Sequence, residues 1–454
     1  MASDNALSSA VKSTKLGGKI WFNGILFGLV GQIAWMVENM YFATFAQNIF
    51  EDTSKYGNLY YIATTLMVIF SAITATVTTI FAGGLCDKSG KRKPFISIGY
   101  ILWGLTIIMF SAVPTDFSPE KGAAVVAILV IFDCIMTVAG STANDAAFNA
   151  WVTDVTDVSN RGKMNTTLSI LSVFAMVVTL VIAMFTFDKG NYNGFFYILG
   201  VIPIIAGILS LFLLKDSAKI TKTQSSDYLK STFYGFRKNI IRENKMLYVT
   251  LACYCLIGIS QQVFMSYLIN FVVKTLGITD YLIPLAIVII GSSAVTAVLG
   301  ILFDKFGRKS FFLPILFIIV AGTFIIYLMK FMPSSVYLPL LYIGGIMMLG
   351  GMLSMIGALN STFQDYIPKG TEGRFQGVRM CFTVMIPMII GPIITLAIGI
   401  NSFNPLDPVA AKPPFEIFLA SSVIALIAFI PMYFVRKDAD RLRKNLLSKR
   451  SENK

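Results

Sequence analysis

The chain contains no histidine, and only 13% of its 454 residues are charged. Without an imidazole, proton transfer by side chains near neutral pH has to rely on carboxylates. A soluble domain carries about 25% charged residues, so this scarcity of charge excludes an ordinary water-soluble protein. The hydrophobic fraction of 56% and the mean hydropathy of +0.73 instead indicate a chain that crosses a lipid bilayer many times.

Cysteine is also scarce, and the five cysteines have neither disulfide nor zinc-ligand spacing. The sequence shows no nucleophile–base pair, metal-ligand cluster or phosphate-binding loop. We therefore predict that the protein is not an enzyme and that it binds no metal or cofactor. The net charge of +13 does not predict nucleic-acid binding, because nearly all basic residues fall in the gaps between apolar segments.

Those apolar segments number twelve, and each is near or above the ~20 residues that cross a hydrocarbon core as a helix. A long polar gap follows the sixth segment, which predicts a six-plus-six arrangement. The segments are Ile20–Phe45, Leu59–Leu85, Phe95–Val113, Gly122–Val152, Met164–Phe187, Gly194–Leu214, Met246–Val273, Leu282–Phe303, Phe311–Phe331, Val336–Phe363, Phe375–Ile400 and Phe415–Val435.

The basic residues predict the orientation. With both termini on one side, that side holds 31 of the 37 Lys and Arg residues and the other side holds 6. This asymmetry predicts a multi-pass protein of the plasma membrane with both termini in the cytoplasm. The expected parts are a tail over 1–18, a six-helix bundle over 19–214, a linker over 215–245, a second bundle over 246–435 and a basic tail over 436–454. The linker fits a helix on the membrane surface or, alternatively, a solvated tether.

A short charged turn follows the second segment as Gly84–Lys93 and recurs after the eighth segment as Gly300–Lys309. A polar turn that recurs after about half the chain, each time between spanning segments, indicates internal duplication. A turn that is merely rich in basic residues does not explain an Asp and a Gly at fixed spacing in both copies. The aligned pairs are Asp87 with Asp304, Lys88 with Lys305, and Gly90 with Gly307.

A second repeated element closes the fourth and tenth segments. Asn149 precedes Asp154 by five residues, and Asn360 precedes Asp365 in the same way. An arginine follows each pair, at Arg161 and at Arg374. Capping of the next helix by the two aspartates is an alternative explanation, and it can coexist with a role in gating.

The first turn resembles the Gly-x-x-x-Asp-(Arg/Lys)-x-Gly-x-(Arg/Lys)-(Arg/Lys) loop that major facilitator superfamily proteins carry between helices two and three. The resemblance covers the whole chain and implies an all-α membrane protein with twelve transmembrane helices in two pseudo-symmetric six-helix bundles. It also implies that acidic and basic residues near these turns form a cytoplasmic gate. The residues assigned to the gate are Gly84, Asp87, Gly90, Arg92, Asp154, Arg161, Asp304, Gly307, Arg308, Asp365, Arg374 and Arg379, the last of which could instead pair with a buried acid.

Few ionisable side chains lie inside the apolar segments, where each is costly unless it faces a cavity or a partner. Glu38 lies in the first segment, and Asp133 and Asp145 lie in the fourth. Because the two aspartates share one helix, we favour a role in lining a cavity. Acids that only hold neighbouring helices together are the alternative.

Two local patterns suggest a solute. Gln32-x-x-Trp35 resembles the first helix of sucrose–proton symporters, and Asp145-x-x-Phe148 resembles the sugar site of melibiose permease and its glycoside–cation relatives. This resemblance implies symport of a neutral, hydroxyl-rich solute such as a disaccharide or glycoside. The residues assigned to solute and cation binding are Gln32, Trp35, Glu38, Asn39, Asp133, Asn144, Asp145, Phe148, Asn149, Gln261, Gln262, Tyr267 and Asn270.

The coupling ion is predicted from a difference between this sequence and the melibiose-permease relatives. The second segment reads Ala75–Thr79 where melibiose-permease relatives carry an acidic pair for sodium. A proton carried by Asp145, Asp133 or Glu38 is therefore predicted, with sodium as the alternative. Two alternative functions remain for the same fold. The protein could be a proton-coupled exporter of drugs or amphipathic metabolites, or a membrane sensor that transports nothing. The predicted partners are a small solute and the lipid bilayer, without nucleic acid, and we expect the protein to act as a monomer.

Overall fold

The computed structural model describes residues 16–156, 158–187, 190–216, 234–306, 308–367, 375–402 and 412–437, and these ranges contain no β-strand. Twelve long helices follow one another within them. They are α1 (Gly18–Ile49), α2 (Leu59–Ser89), α3 (Lys93–Ala112), α4 (Pro119–Val155), α5 (Val158–Phe185), α6 (Tyr192–Leu213), α7 (Lys245–Met265), α8 (Leu282–Phe306), α9 (Phe312–Phe331), α10 (Tyr337–Tyr366), α11 (Gly377–Ile400) and α12 (Glu416–Lys437).

Eleven of these helices are long and apolar enough to cross a membrane by length and composition, within the described ranges. The other one, α5, has 28 residues, and its apolar part is Ile170–Phe185. Most helices begin and end within a few residues of their predicted segments. The largest differences are at α7, which ends at Met265 and not at Val273, and at α5, which begins at Val158 and not at Met164. Helix α2 continues through Ser89 because neither Asp87 nor Lys88 breaks a helix.

The apolar side chains are distributed as expected for a protein in lipid. Large hydrophobic residues point outward along the helices, with Phe212 reaching 78% exposure. Several polar side chains are buried instead, among them Glu38, Asp133 and Asn144. Hydrophobic surface needs no burial where the solvent is hydrocarbon, whereas polar groups there must find partners inside the protein.

Backbone contacts divide the chain into two compact units. The first unit comprises the described parts of Met1–Tyr41, Val77–Pro114 and Ala127–Asp227. Within it, α3 packs against α6 and α1 packs against α5, while α3 also contacts the irregular part of α4. This unit therefore holds most of α1 and α4, together with α3, α5 and α6.

The second unit comprises the described parts of Phe42–Thr76, Thr115–Val126 and Tyr228–Lys454. Within it, α9 packs against α12 and α7 packs against α11, which are the pairings of the first unit displaced by six helices. A recurring set of helix pairs is what duplication of a six-helix segment produces. The unit also includes the end of α1 and the first part of α2.

Candidate functional site

Two helices of the first unit change from α-helical to π-helical hydrogen bonding next to the predicted site residues. The π-helical segment of α1 is Val37–Phe42, and that of α4 is Ser141–Phe148. Such segments are rare and frequently occur at functional sites, because the extra residue per turn redirects side chains and backbone carbonyls. Glu38 lies in the first segment, and Asn144, Asp145 and Phe148 lie in the second.

A hydrogen-bonded aromatic and amide cluster joins α1, α3 and α4. The Trp35 indole N–H donates to Asn144 Oδ1 at 3.4 Å, and Asn144 Nδ2 donates to the Tyr100 hydroxyl at 2.9 Å. The Tyr100 hydroxyl in turn donates to the Phe27 carbonyl at 2.7 Å. The Trp35 ring also meets the Trp103 ring edge to face, with centroids 5.0 Å apart. Asn144 thus orients an indole that remains half-buried.

Polar groups accompany Trp35 along one face of α1. Gln32, Trp35 and Asn39 are spaced by three and four residues, which places them on the same side of a helix. Gln32 Oε1 accepts a hydrogen bond from the Ser172 hydroxyl of α5 at 2.7 Å, and Asn39 Nδ2 donates to the Trp35 carbonyl at 2.7 Å. All three side chains are half-buried, so the face is partly accessible.

The three predicted binding residues that follow Asn144 on α4, namely Asp145, Phe148 and Asn149, differ from one another in their surroundings. The Asp145 carboxylate accepts a hydrogen bond from the Ser141 hydroxyl at 3.2 Å and is half-buried. Phe148 is buried and stacks on Trp151, with ring centroids 5.9 Å apart. Asn149 is exposed and donates to the Asp145 carbonyl at 3.2 Å. The surroundings of Phe148 are those of a core residue.

Glu38 and Asp133 meet between α1 and α4. Both residues are buried, with 7% and 3% exposure. The Thr137 hydroxyl lies 2.9 Å from Glu38 Oε1 and 2.8 Å from the Asp133 carbonyl oxygen. The two carboxyl groups also interact electrostatically. Two of the three predicted membrane acids therefore belong to one cluster.

The predicted binding residues of the second half lie in the second unit. Gln261 and Gln262 are half-buried on α7, whereas Tyr267 and Asn270 are buried just beyond its end. Asn270 Nδ2 donates to Gln47 Oε1 at 2.8 Å. Asn270 therefore contacts the end of α1, and its hydrogen-bonding groups are partly occupied within the protein.

Gln47 is the centre of this cluster in the second unit. Its Nε2 donates to the Ser266 carbonyl at 2.8 Å, and the Tyr60 hydroxyl donates to its Oε1 at 3.3 Å. Tyr60 and Tyr267 approach with ring centroids 6.2 Å apart. A fully buried amide with its oxygen and nitrogen both bonded fixes the distances between α1, α2 and the residues after α7.

An ion pair lies beside this cluster. Lys274 Nζ is 3.2 Å from Glu51 Oε2, and the Lys274 side chain is only 12% exposed. Burial lowers the pKa of Lys274, and the nearby Glu51 carboxylate opposes that shift. The carboxylate therefore helps keep the ammonium group charged in partly buried surroundings.

Replacing Glu51 by glutamine should destabilise the protein by about 1 kcal/mol, since it leaves the buried Lys274 ammonium without its carboxylate and the pair is only partly shielded from water. The measurement is thermal unfolding of the purified protein in nanodiscs. Asp52→Asn is the matched control, because Asp52 is adjacent and exposed. Equal melting temperatures for the two variants would contradict the role of this ion pair.

The charged turn after α2 is shorter than predicted. The helix continues through Ser89, and only Gly90, Lys91 and Arg92 separate it from α3. Gly90 has a φ of 63°, a left-handed conformation that glycine adopts without strain at a helix end. Its amide donates to the Cys86 carbonyl at 3.1 Å. The tight reversal therefore depends on Gly90, one of the residues that the two copies of the turn share.

Arg92 connects Asp87 and Asp154, the two aspartates of the first unit that are predicted to belong to the gate. Its Nη2 lies 2.6 Å from Asp87 Oδ1, and its Nε lies 3.0 Å from Asp154 Oδ2. The Arg92 side chain is only 7% exposed and therefore lies inside the protein. Asp216, which follows α6, accepts hydrogen bonds from the backbone amides of Arg92 and Lys93 at 2.8 and 2.9 Å. Asp216 therefore stabilises the start of α3.

The rest of the predicted gate is described only in part. Gly84 is half-buried in α2, and Arg379 is half-buried at the start of α11. Gly307 and Arg374, and the side chains of Arg161, Asp304, Arg308 and Asp365, lie outside the described residues. The second-half copy of the gate and the role of Arg161 stay predictions.

Sequence reasoning missed several contributors to these clusters. Tyr100, Asp216 and Gln47 were not selected, because a tyrosine, an aspartate or a glutamine at a helix surface carries no distinctive local pattern. Thr137 and Ser141 did lie on the helical stripe that also contains Asp133 and Asn144. That stripe could have identified both hydroxyls as partners of the acids.

The family model described as Major Facilitator Superfamily matches residues 20–392. The chain belongs to the major facilitator superfamily. This membership makes it a multi-pass membrane transporter and not an enzyme, and it confirms the predicted all-α fold. No curated protein sequence matches this facilitator. Its place near melibiose permease or sucrose–proton symporters stays a prediction.

Solved structures of other transporters are similar in fold to this facilitator. The nucleoside transporter NupG superposes with a TM-score of 0.64 at 14% identity, covering 92% of this chain and 98% of NupG. The xylose transporter XylE from E. coli, in a partially occluded inward-open conformation, gives 0.63 at 14%, covering 92% and 98%. A bacterial homologue of the human lysosomal transporter Spinster gives 0.68 at 12%, covering 94% and 98%. At such low identity the likeness shows the fold alone.

Proposed function

We propose that this facilitator is a secondary active transporter that moves a neutral sugar, such as a disaccharide or glycoside, together with protons. The supporting observation is the half-buried Trp35 indole, held by Asn144 and Trp103 and flanked by the amides of Gln32 and Asn39. The apolar face of a sugar ring stacks on an indole, and amide and carboxylate groups bind its hydroxyls.

The cluster suits a neutral solute better than a charged one. The sequence places no Lys or Arg between residues 20 and 54 or between 122 and 160, so α1 and α4 offer no buried cation to an anionic solute. The Asp145 carboxylate, next to Asn144, can accept hydrogen bonds from hydroxyl groups. Binding near the middle of the spanning helices fits alternating access, in which the solute site opens to one side at a time.

The proposal also includes the orientation of the chain in the membrane and the coupling of transport to protons. The excess of Lys and Arg in one set of loops supports cytoplasmic termini. Proton coupling is supported by the membrane acids in a chain without histidine. When substrate and proton both occupy the centre, the charged turn that contains Asp87 and Arg92 would open.

The experiment uses purified protein in lipid vesicles that contain a pH-sensitive dye. Addition of the transported sugar outside should acidify the lumen, and a protonophore should abolish the signal. No acidification across a broad panel of mono- and disaccharides would reject sugar symport. Alkalinisation or dye efflux with amphipathic cations would instead support an exporter.

Replacing Trp35 by alanine should raise the KM for the transported sugar about tenfold, since loss of an aromatic stacking surface removes roughly 1–1.5 kcal/mol. Trp35→Phe should retain part of the affinity because it keeps a ring. Trp21→Phe, near the start of α1, is the matched control for loss of an indole. An unchanged KM in Trp35→Ala would place the solute elsewhere.

A further inference from the structure

A short helix precedes α7 and ends next to its first residue. This linker helix, Lys238–Glu243, follows a 3₁₀ turn over Tyr234–Phe236, and Asn244 separates it from α7. The Asn244 amide and the Asn244 side-chain Nδ2 both donate to the Ile240 carbonyl, each at 3.0 Å. These bonds hold the linker helix beside the end of a spanning helix.

One side of this segment packs on the protein. The Tyr248 hydroxyl of α7 donates to the Gly235 carbonyl, and a Cβ atom at Gly235 would lie 2.5 Å from Val378 Cγ2 of α11. Ile240 is half-buried and packs, together with Tyr248, against a buried cluster at the ends of α7, α10 and α11. The members of that cluster are Leu247, Leu251, Phe363, Phe375 and Val378. These contacts determine which side of the linker helix faces outward.

The outward face of the linker helix carries both cationic and apolar groups. Lys238, Ile241 and Arg242 are three and four residues apart, so they share one side of the helix, and all three are exposed. Phe236, in the preceding turn, is 41% exposed, and Ile241 is 38% exposed. Lys245, the first residue of α7, is exposed as well. Exposed apolar side chains between basic ones are typical of a helix at a lipid–water boundary.

The basic groups of this face have no acidic partner in the described part of the chain. Lys238, Arg242 and Lys245 form no ion pair there. Glu243 is the one acid in the sequence between positions 234 and 245, and it does not share a side of the helix with its neighbour Arg242. With four Lys and Arg residues against this acid, the segment has a net charge of +3. Such a surface attracts a negatively charged partner.

The position of the face indicates which partner that is. Helix α7 is a candidate membrane span from Lys245 onward, so the linker helix lies near the lipid headgroups at that end. The distribution of Lys and Arg predicts that this end is cytoplasmic, and the cytoplasmic leaflet is rich in anionic lipids. A free anion would contact the charges alone, whereas a lipid also covers exposed apolar side chains such as Ile241.

We propose that the outward face of the linker helix binds anionic phospholipids of the cytoplasmic leaflet. The lipid phosphate lies between the Lys238 ammonium and the Arg242 guanidinium, and the side chains of Phe236 and Ile241 lie at the boundary with the acyl chains. The linker helix then attaches the starts of α7 and α11 to the membrane surface. This inference does not depend on which solute is transported.

The first test measures lipid binding to the purified protein in a neutral detergent by native mass spectrometry. Phosphatidylglycerol should bind more tightly than phosphatidylcholine. Combining Lys238→Gln with Arg242→Gln should weaken the tightest phosphatidylglycerol binding about thirtyfold, since each basic residue near an anionic surface contributes about fivefold. Phosphatidylcholine binding should not change. The charge-conserving combination of Lys238→Arg with Arg242→Lys should retain tight binding.

The matched control removes two other exposed lysines, Lys55 and Lys121, which the same distribution of Lys and Arg places on the opposite side of the membrane. Lys55→Gln with Lys121→Gln should leave the tightest phosphatidylglycerol binding intact. Equal losses in the two double variants would overturn the site, because net charge alone would then explain the binding. Displacement of the lipid by excess inorganic phosphate would also overturn it and assign the face to a free anion.

The second test examines whether the apolar side chains contact lipid. Amide hydrogen exchange of residues 236–243 should be slower in phosphatidylglycerol nanodiscs than in phosphatidylcholine nanodiscs. Ile241→Gln should remove much of this difference, although it keeps every charge. Equal exchange in the two lipids would mean that the segment is a solvated tether, which overturns the proposal. Full protection in Ile241→Gln would overturn the contact between this face and the acyl chains.

Discussion

Replacing Arg92 by glutamine is expected to destabilise the protein by about 3 kcal/mol and to reduce transport to near background. The Arg92 guanidinium is buried and bridges Asp87 and Asp154, which belong to different helices. Breaking a buried ion pair from one side leaves uncompensated charge, and here two carboxylates would lose the same partner. A neutral amide can replace one hydrogen bond but no charge.

The protonation of Arg92 supports this expectation. Burial lowers the pKa of Arg92, but hydrogen bonds and charge from Asp154 and Asp87 outweigh burial, so its pKa is raised on balance. The Arg92 guanidinium is therefore charged at every pH at which the protein can be studied. Arg92→Lys should recover only part of the stability, since an ammonium cannot reproduce the planar geometry that contacts both acids.

The measurement is thermal unfolding in nanodiscs together with uptake into proteoliposomes. Lys91→Gln provides the control, because Lys91 is the adjacent residue, carries the same charge and is exposed. Its melting temperature should match the wild type. Similar losses in Lys91→Gln and Arg92→Gln would mean that the net positive charge of the turn, and not the bridge, determines stability.

The bridge also shows what local patterns can predict. The position of the turn, its duplication and its glycine were predictable, since each depends on neighbouring residues and on the spacing of apolar segments. The residues that Arg92 contacts could not be predicted. Arg92 contacts Asp154, 62 residues away, and its amide contacts Asp216, 124 residues away. The sequence contains several acids at suitable helix ends, and only packing selects among them.

In the candidate site, too, some features could be predicted from the sequence and others could not. The scarcity of membrane acids made Glu38, Asp133 and Asp145 identifiable, because each ionisable group in a spanning segment requires an explanation. Helical periodicity assumes 3.6 residues per turn, and it fails where α1 and α4 become π-helical. The meeting of Glu38 with Thr137 depends on those irregular turns and on the packing of α1 against α4. Neither can be predicted from spacing alone.

Gly31→Ala is expected to reduce both stability and solute affinity, because the added methyl group displaces the Asn144 side chain that orients Trp35. A Cβ atom at Gly31 would overlap the side-chain nitrogen of Asn144 and lie 2.9 Å from the Tyr100 hydroxyl oxygen. Overpacking of a tight contact costs about 1–3 kcal/mol. The displaced Asn144 would also lose its bonds to Trp35 and Tyr100, which leaves buried polar groups unsatisfied.

The control for this substitution is Gly357→Ala in α10, where an added Cβ meets no atom within 4 Å. Alanine favours a helix over glycine by about 1 kcal/mol, so this variant should be as stable as the wild type or more so. Gly31→Ala should lower the melting temperature and raise the KM for the transported sugar, with a change in Trp35 fluorescence. A stable Gly31→Ala variant with normal KM and fluorescence would show that Asn144 does not position the indole. It would also remove the main support for a solute site between α1 and α4, because Trp35 would then owe its orientation to Trp103 alone.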